Sequence, residues 1–153
     1  SLYPQYVRKL VSWAAIADYT HLFRGINLLD WENQGITYIC NVRTGQDMPM
    51  KWMIYEEYMA QKESYNIINA ARKMDKPALL VHGTKDEAVP LHHAENLAEA
   101  CNHAIFIKSE GQDHTFGAKH PMRSLAEATE AFWLVLDNTL EFLEEEAEDQ
   151  LIS

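Results

Sequence analysis

Apolar residues fall in short blocks along the chain, and the spacing inside each block predicts its element. Residues 7–16 begin with Arg8 and Lys9 and continue as an apolar run through Leu10, Val11, Trp13 and Ile16. Such a run predicts a buried strand rather than a half-exposed one. Residues 22–31 place apolar groups loosely at helical spacing until Asn33-Gln34-Gly35 breaks the pattern. Residues 36–42 are β-branched and aromatic, Gly45 follows in a turn, and a second segment leads to Met53, so residues 35–53 read as a hairpin. Pro49 makes its second strand short or an edge. Residues 52–59 and 65–74 read as helices, the latter with Ile67, Ile68, Ala71 and Met74 on one face.

The downstream half is clearer. Pro77 ends the preceding helix, Ala78, Leu79, Leu80 and Val81 form an apolar run, and Gly83 closes it, which predicts a strand over 76–83. Pro90 suits the first position of a helix running to about Cys101. Residues 103–108 read as another strand and 111–121 as a loop. Ser124 and Glu127 have the spacing of a capping box that opens a helix. That helix is expected to carry Leu125, Phe132, Val135, Leu136, Leu140 and Leu143 on one stripe, and to fray over 144–149. Strands separated by helices imply a parallel α/β sheet. Functional residues of such sheets gather in loops after the carboxyl ends of strands, here 83–90 and 110–121.

Composition narrows the class. The length of 153 residues predicts one domain, and 47% apolar with 24% charged residues is globular composition, not that of a disordered chain. The net charge of −10 opposes nucleic-acid and anionic-membrane partners, although six of the 23 acidic residues lie between Glu141 and Asp149. Cys40 and Cys101 form no C-x-x-C and no disulfide framework, and both read as small core residues. No run of about 18 apolar residues spans a membrane, and no signal peptide opens the sequence. A reducing, cytoplasmic location is the expectation.

The two loops hold the candidate chemistry. Asp86 follows one strand and His114 the next, so the pair is adjacent if the strands are neighbours. Asp86 could then accept a hydrogen bond from one ring nitrogen of His114, fix its tautomer and stabilise the imidazolium formed at the other. Glu87 is a less favoured substitute acid, and Asp86 could instead cap the following helix. His82 ends a strand and reads as packed or hydrogen-bonded. His92, His93 and His120 raise a metal reading, but adjacent helical positions point different ways and there is no H-E-x-x-H. No metal is expected, and no cofactor, since nucleotide-binding glycine motifs are absent.

H-G-T-K-D-E-A-V-P followed by G-Q-D-H-T-F-G-A-K-H-P resembles the C-terminal half of an α/β-hydrolase, in the serine peptidase and esterase branch of dienelactone-hydrolase-like and prolyl-oligopeptidase-like or aminopeptidase-like enzymes. The resemblance covers roughly residues 4–142. It implies that Asp86 and His114 are the acid and base of a Ser-His-Asp triad acting on ester or peptide-like amide bonds. It also implies that residues 19–75 are a cap-like insertion within a single, incomplete domain of residues 1–153. Trp31, Tyr38, Trp52, Met53, Tyr55, Tyr58 and Met59 would then pack onto the sheet or line a pocket, where Arg43 could meet a carboxylate.

The departure from the family pattern is the nucleophile. The fold orders its triad Ser, Asp, His, with the serine in G-x-S-x-G. No such motif occurs here, and Ser1, Ser12, Ser64, Ser109, Ser124 and Ser153 stand in no elbow. Residues 3–11 resemble the end of the helix after the nucleophile and the next strand. The chain is therefore expected to be the C-terminal portion of a longer serine hydrolase, inactive alone. Its expected partners are a small ester or peptide-like substrate and either the N-terminal half of the same protein or a second copy. That partner would cover an apolar sheet edge near 10–16. The competing class is a non-enzymatic interaction module of the same fold.

Overall fold

The computed structural model describes residues 6–41, 44–119 and 121–145. The backbone divides into two units, Asp18–Ile67 and the segments on either side of it, Ser1–Ala17 with Ile68–Ser153.

The flanking segments build a three-stranded parallel sheet in the order β1, β4, β5, where β1 is Leu10–Trp13, β4 is Ala78–Gly83 and β5 is Ala104–Ser109. Register pairs Val11 with Leu79 and Leu79 with Ile105, and it ends level, Gly83 opposite Ser109. All six β4 residues are buried because both of its edges are paired and helices pack nearby. β1 corrects the expectation of a buried strand. Only four residues of the 7–16 run are strand and none of them is buried, since among the described residues β1 pairs with β4 alone. The chain turns sharply after it: Ala14 holds a positive φ of 50° and its amide donates to the Val81 carbonyl at 2.9 Å.

Leu79 and Val81 point into a core with Ala14, Phe116, Val135 and Phe142, and Trp13 packs edge-on to Phe116 and Phe132. Val135 and Phe142 come from α5, Glu130–Glu144. The capping-box expectation is corrected here. Ser124 makes no side-chain cap; it precedes a short 3-10 turn, Leu125–Glu127, whose Glu127 carboxylate accepts from the Arg123 amide at 3.2 Å. Ala128 is extended, and Thr129 caps α5 by accepting from the Phe132 amide at 3.1 Å.

Of the expected stripe Val135 alone is fully buried in α5. The buried residues are Val135, Thr139 and Phe142, while Leu125, Leu140 and Leu143 are exposed. Thr139 takes the central place because its hydroxyl accepts from Trp13 Nε1 at 3.0 Å and donates to the Val135 carbonyl at 2.8 Å. A leucine there would leave the indole N–H unpaired. Lys9 Nζ donates to the Phe142 and Glu145 carbonyls, closing the helix end with positive charge.

α4, His92–Ala100, starts two residues after Pro90 rather than at it, and buries His93, Ala94, Leu97 and Ala100. The Pro90 carbonyl accepts from the His93 amide at 3.0 Å, so the proline closes the entry turn. α3, Ile67–Arg72, is shorter than the 65–74 pattern.

The Asp18–Ile67 unit holds its own aromatic core of Phe23, Trp31 and Tyr58, flanked by Tyr19, Trp52, Tyr55 and Tyr65. The helical pattern at 22–31 splits into a 3-10 turn, Tyr19–Phe23, and α1, Leu28–Gln34, because Gly25 turns the chain at φ 76° and Asn27 then caps the second piece. The hairpin forms as β2, Ile36–Asn41, and β3, Gln46–Lys51, followed by α2, Met53–Ala60. Trp31 is 1% exposed and donates its Nε1 to the Met50 carbonyl at 2.9 Å, tying α1 to the hairpin. Cys101 is buried as expected of a core residue, but Cys40 is exposed, on the same side of β2 as the exposed Tyr38.

Candidate active site

β4 and β5 end side by side, so the loops that follow them meet. The Thr84 amide donates to the Ser109 carbonyl at 3.0 Å, and the Lys85 amide to the Gln112 carbonyl at 2.9 Å. Thr84 Oγ1 accepts from the Gly111 amide at 2.8 Å and donates to Glu110. Gly83 makes this approach possible. A Cβ there would lie 2.3 Å from the Gln112 carbonyl oxygen and 2.6 Å from that of Asp113.

The clamp brings Asp86 and His114 together. Asp86 is 7% exposed. Its Oδ1 accepts from the Val89 amide at 2.8 Å, and its Oδ2 lies 2.9 Å from His114 Nδ1. Asp86 therefore caps the turn of its own loop, not α4, and has one oxygen left for the histidine. An ionised carboxylate only accepts, so His114 Nδ1 carries the proton and Nε2 offers a lone pair. The His114 side chain is 45% exposed, so the ring can reach a reactant while its partner stays dry. That is the geometry of a general base with an orienting carboxylate. Glu87 is exposed, outside this arrangement.

The His114 loop is held from inside. Asp113 Oδ1 accepts from the Thr115 amide, the Thr115 hydroxyl and the Gly117 amide, all at 3.0 Å or less. Phe116 takes a positive φ of 55° with its ring buried in the sheet core, and its carbonyl accepts from Thr129 Oγ1 at 2.6 Å. The loop is thus tied down on both sides of His114.

The Gly117 amide holds the Asp113 carboxyl below its usual range; burial opposes this, and Thr115 and His114 add to the lowering. The unfolded group titrates near ~4. A lowered folded value gives stability that is present above ~4 and lost as pH falls through the folded value. The Thr115 and Gly117 amide resonances are expected to shift together below pH ~4, and Asp113→Asn to remove that titration. Amides that titrate unchanged in the variant would show that Asp113 is not the group holding them.

His82, expected to be packed or hydrogen-bonded, is both. It is fully buried, its Nε2 lies 2.7 Å from the Val89 carbonyl and 3.4 Å from Asp86 Oδ2, and its Nδ1 has no hydrogen-bond partner among the described residues. His82 meets residues of its own loop and Gly83 those of the other loop, and the glycine that closes the strand is the one sequence signal pointing to the second contact. His92 and His93 do not point apart: their rings stack at 4.4 Å, and His93 Nδ1 accepts from the Ala17 amide at 3.1 Å, so this nitrogen is engaged by backbone. Among the described residues no three His, Cys, Asp or Glu side chains cluster to hold a metal, and no helix is long and apolar enough to cross a membrane. His120 and Arg43 lie outside the described residues.

Known proteins share this architecture. The family described as TAP-like protein, a family of α/β-hydrolases, matches residues 50–135. No curated protein sequence matches significantly. Alpha/beta hydrolase domain-containing protein 10 from mouse superposes with a TM-score of 0.62 at 18% identity, covering 93% of this chain and 55% of its own. Est1E from Butyrivibrio proteoclasticus, solved with ferulic acid bound, gives 0.63 at 16% identity, covering 93% and 51%. An esterase domain from Rhodothermus marinus gives 0.53 at 18%, covering 88% and 50%. The chain thus spans about half the length of these solved structures, and the likeness to them is one of fold. The matched residues make up more than half of the sequence, and with the parallel sheet they place the chain in the α/β-hydrolase superfamily, in the family of TAP-like proteins.

Proposed function

We propose that this chain supplies the acid and base of a serine hydrolase acting on ester or peptide-like amide bonds. The observation that carries the reading is the 2.9 Å bond between a buried Asp86 and a half-exposed His114. His114 Nε2 takes the proton of a serine hydroxyl as its oxygen bonds to the substrate carbonyl carbon. Asp86 stabilises the imidazolium. The same proton passes to the leaving alcohol or amine as the acyl bond breaks, and a water molecule repeats the cycle to release the acid.

The 153 residues contain no G-x-S-x-G. The serine and the oxyanion donors are therefore proposed to belong to sequence outside them, in an N-terminal portion of the same protein. β1, unpaired on one side among the described residues, is the proposed edge for that portion, or for a second copy in its absence. Residues 19–75 are proposed as the cap-like insertion.

Two assays on the 153-residue chain test this: fluorophosphonate labelling and p-nitrophenyl acetate turnover. No label is expected, and no turnover above that of the His114→Ala variant. The complete hydrolase is expected to take up one probe per chain. Turnover by the 153 residues alone that disappears in His114→Ala would overturn the assignment of the nucleophile to other sequence. A complete protein that takes no label would favour an interaction module on the same scaffold.

A further inference from the structure

We infer that His82 is a positioning residue: through the Val89 backbone it holds the Asp86 carboxylate in the orientation His114 requires. The inference rests on the acid–base reading above and adds to it a third side chain.

Three bonds in series carry the argument. His82 Nε2 lies 2.7 Å from the Val89 carbonyl, the Val89 amide donates to Asp86 Oδ1 at 2.8 Å, and Asp86 Oδ2 lies 2.9 Å from His114 Nδ1. A carbonyl only accepts, so Nε2 carries the proton of His82. Val89 is thus pinned at both its carbonyl and its amide, by a residue near the end of β4 and by the acid itself. Its N–H is the bond that sets which way the carboxylate faces. His82 Nε2 is also 3.4 Å from Asp86 Oδ2, the oxygen that meets His114. The Val89 carbonyl and amide lie on adjacent peptide groups that share its Cα, so fixing the carbonyl restricts rotation of the residue whose amide holds Asp86.

The orphaned atom argues against plain packing. His82 is 0% exposed and its Nδ1 has no hydrogen-bond partner among the described residues. A buried acceptor without a partner costs stability, and a leucine or phenylalanine at the end of a buried strand would avoid that cost. What an apolar side chain cannot supply is the donor to Val89.

The test is histidine-selective nitrogen-15 NMR of the 153-residue protein, reading the exchange of the His114 Nδ1 proton. His82→Phe keeps an aromatic ring and removes the donor. His82→Gln places an amide N–H near the position of Nε2, whereas His82→Asn falls short of it. Phenylalanine and asparagine are expected to speed exchange roughly tenfold, the order expected when one hydrogen bond's support is lost. Glutamine is expected to restore the slow proton. Backbone amide protection of Leu80, Val81 and Phe106 reports whether the sheet persists. An unchanged His114 proton in His82→Phe with the sheet intact would overturn the proposal. If phenylalanine prevents folding, equal exchange in the glutamine and asparagine variants would do so. The acid–base reading fails separately, if the wild-type proton is insensitive to Asp86→Asn.

Discussion

Asp86→Asn is expected to lower kcat of the complete hydrolase by about 10⁴-fold with KM little changed, a size known for this replacement in serine-protease triads. The physical reason lies in which atoms the amide can imitate. The asparagine oxygen can still accept from the Val89 amide, now 2.8 Å from Asp86 Oδ1, so the loop has reason to keep its shape. The amide nitrogen then occupies the place of Oδ2, facing His114 Nδ1 at 2.9 Å. Two donors cannot share that line. His114 must move its proton to Nε2, the nitrogen that should accept one from the serine, and the base is lost while the fold survives. The tautomer change can be read by nitrogen-15 NMR on the 153-residue chain, without any activity. Asp86→Ala is expected to do worse, since it also strands the buried Val89 amide, at a cost of about 1–3 kcal/mol in stability. An Asp86→Asn enzyme with kcat within a few fold of wild type would remove Asp86 from the mechanism.

The Asp86–His114 pair is legible in the sequence because it depends on a rule about whole sheets. Residues just past the carboxyl ends of neighbouring parallel strands meet, and β4 is easily placed between Pro77 and Gly83. The burial of β1 is not legible. Its apolar run predicts a central strand, but what decides burial is a neighbouring strand on each side, which no local pattern encodes. The start of α5 shows a local signal overruled from a distance. Ser124 and Glu127 have capping-box spacing, yet the helix begins where Thr129 both caps it and donates to the Phe116 carbonyl. Thr139 displaces leucines from the expected stripe for a similar reason, since the Trp13 indole needs an acceptor. His82 and Gly83 are legible as the end of a strand, but not the return of Val89 onto His82 within its own loop, nor the approach of Gly83 to Gln112 and Asp113 in the other loop, which sequence spacing does not relate.

Gly83→Ala tests that approach. The added methyl would stand 2.3 Å and 2.6 Å from two backbone oxygens and 2.8 Å from the Gln112 carbonyl carbon. None is the end of a side chain that could swing away, so the loop backbone must move. Overpacking of this kind costs about 1–3 kcal/mol, and backbone on the receiving side puts this case at or above the upper end. The shift also threatens the Lys85 amide bond to the Gln112 carbonyl, which aligns the two loops. Urea unfolding should therefore show a lower midpoint with an unchanged slope. The more telling readout is the His114 Nδ1 proton, which should exchange faster because Asp113 and His114 travel with Gln112. Gly111→Ala is the control. Gly111 has a positive φ of 71° but no atom of the described residues within 4 Å of the place an added methyl would take, so its cost is conformational, about 1–2 kcal/mol. Strain at Gly111 should lower stability and leave the His114 proton slow, while crowding at Gly83 should disturb both. If Gly83→Ala matches wild type in stability and in the His114 signal, the two loops are not held together at this point, and the Asp86–His114 geometry must be fixed by Asp113 and Phe116 instead.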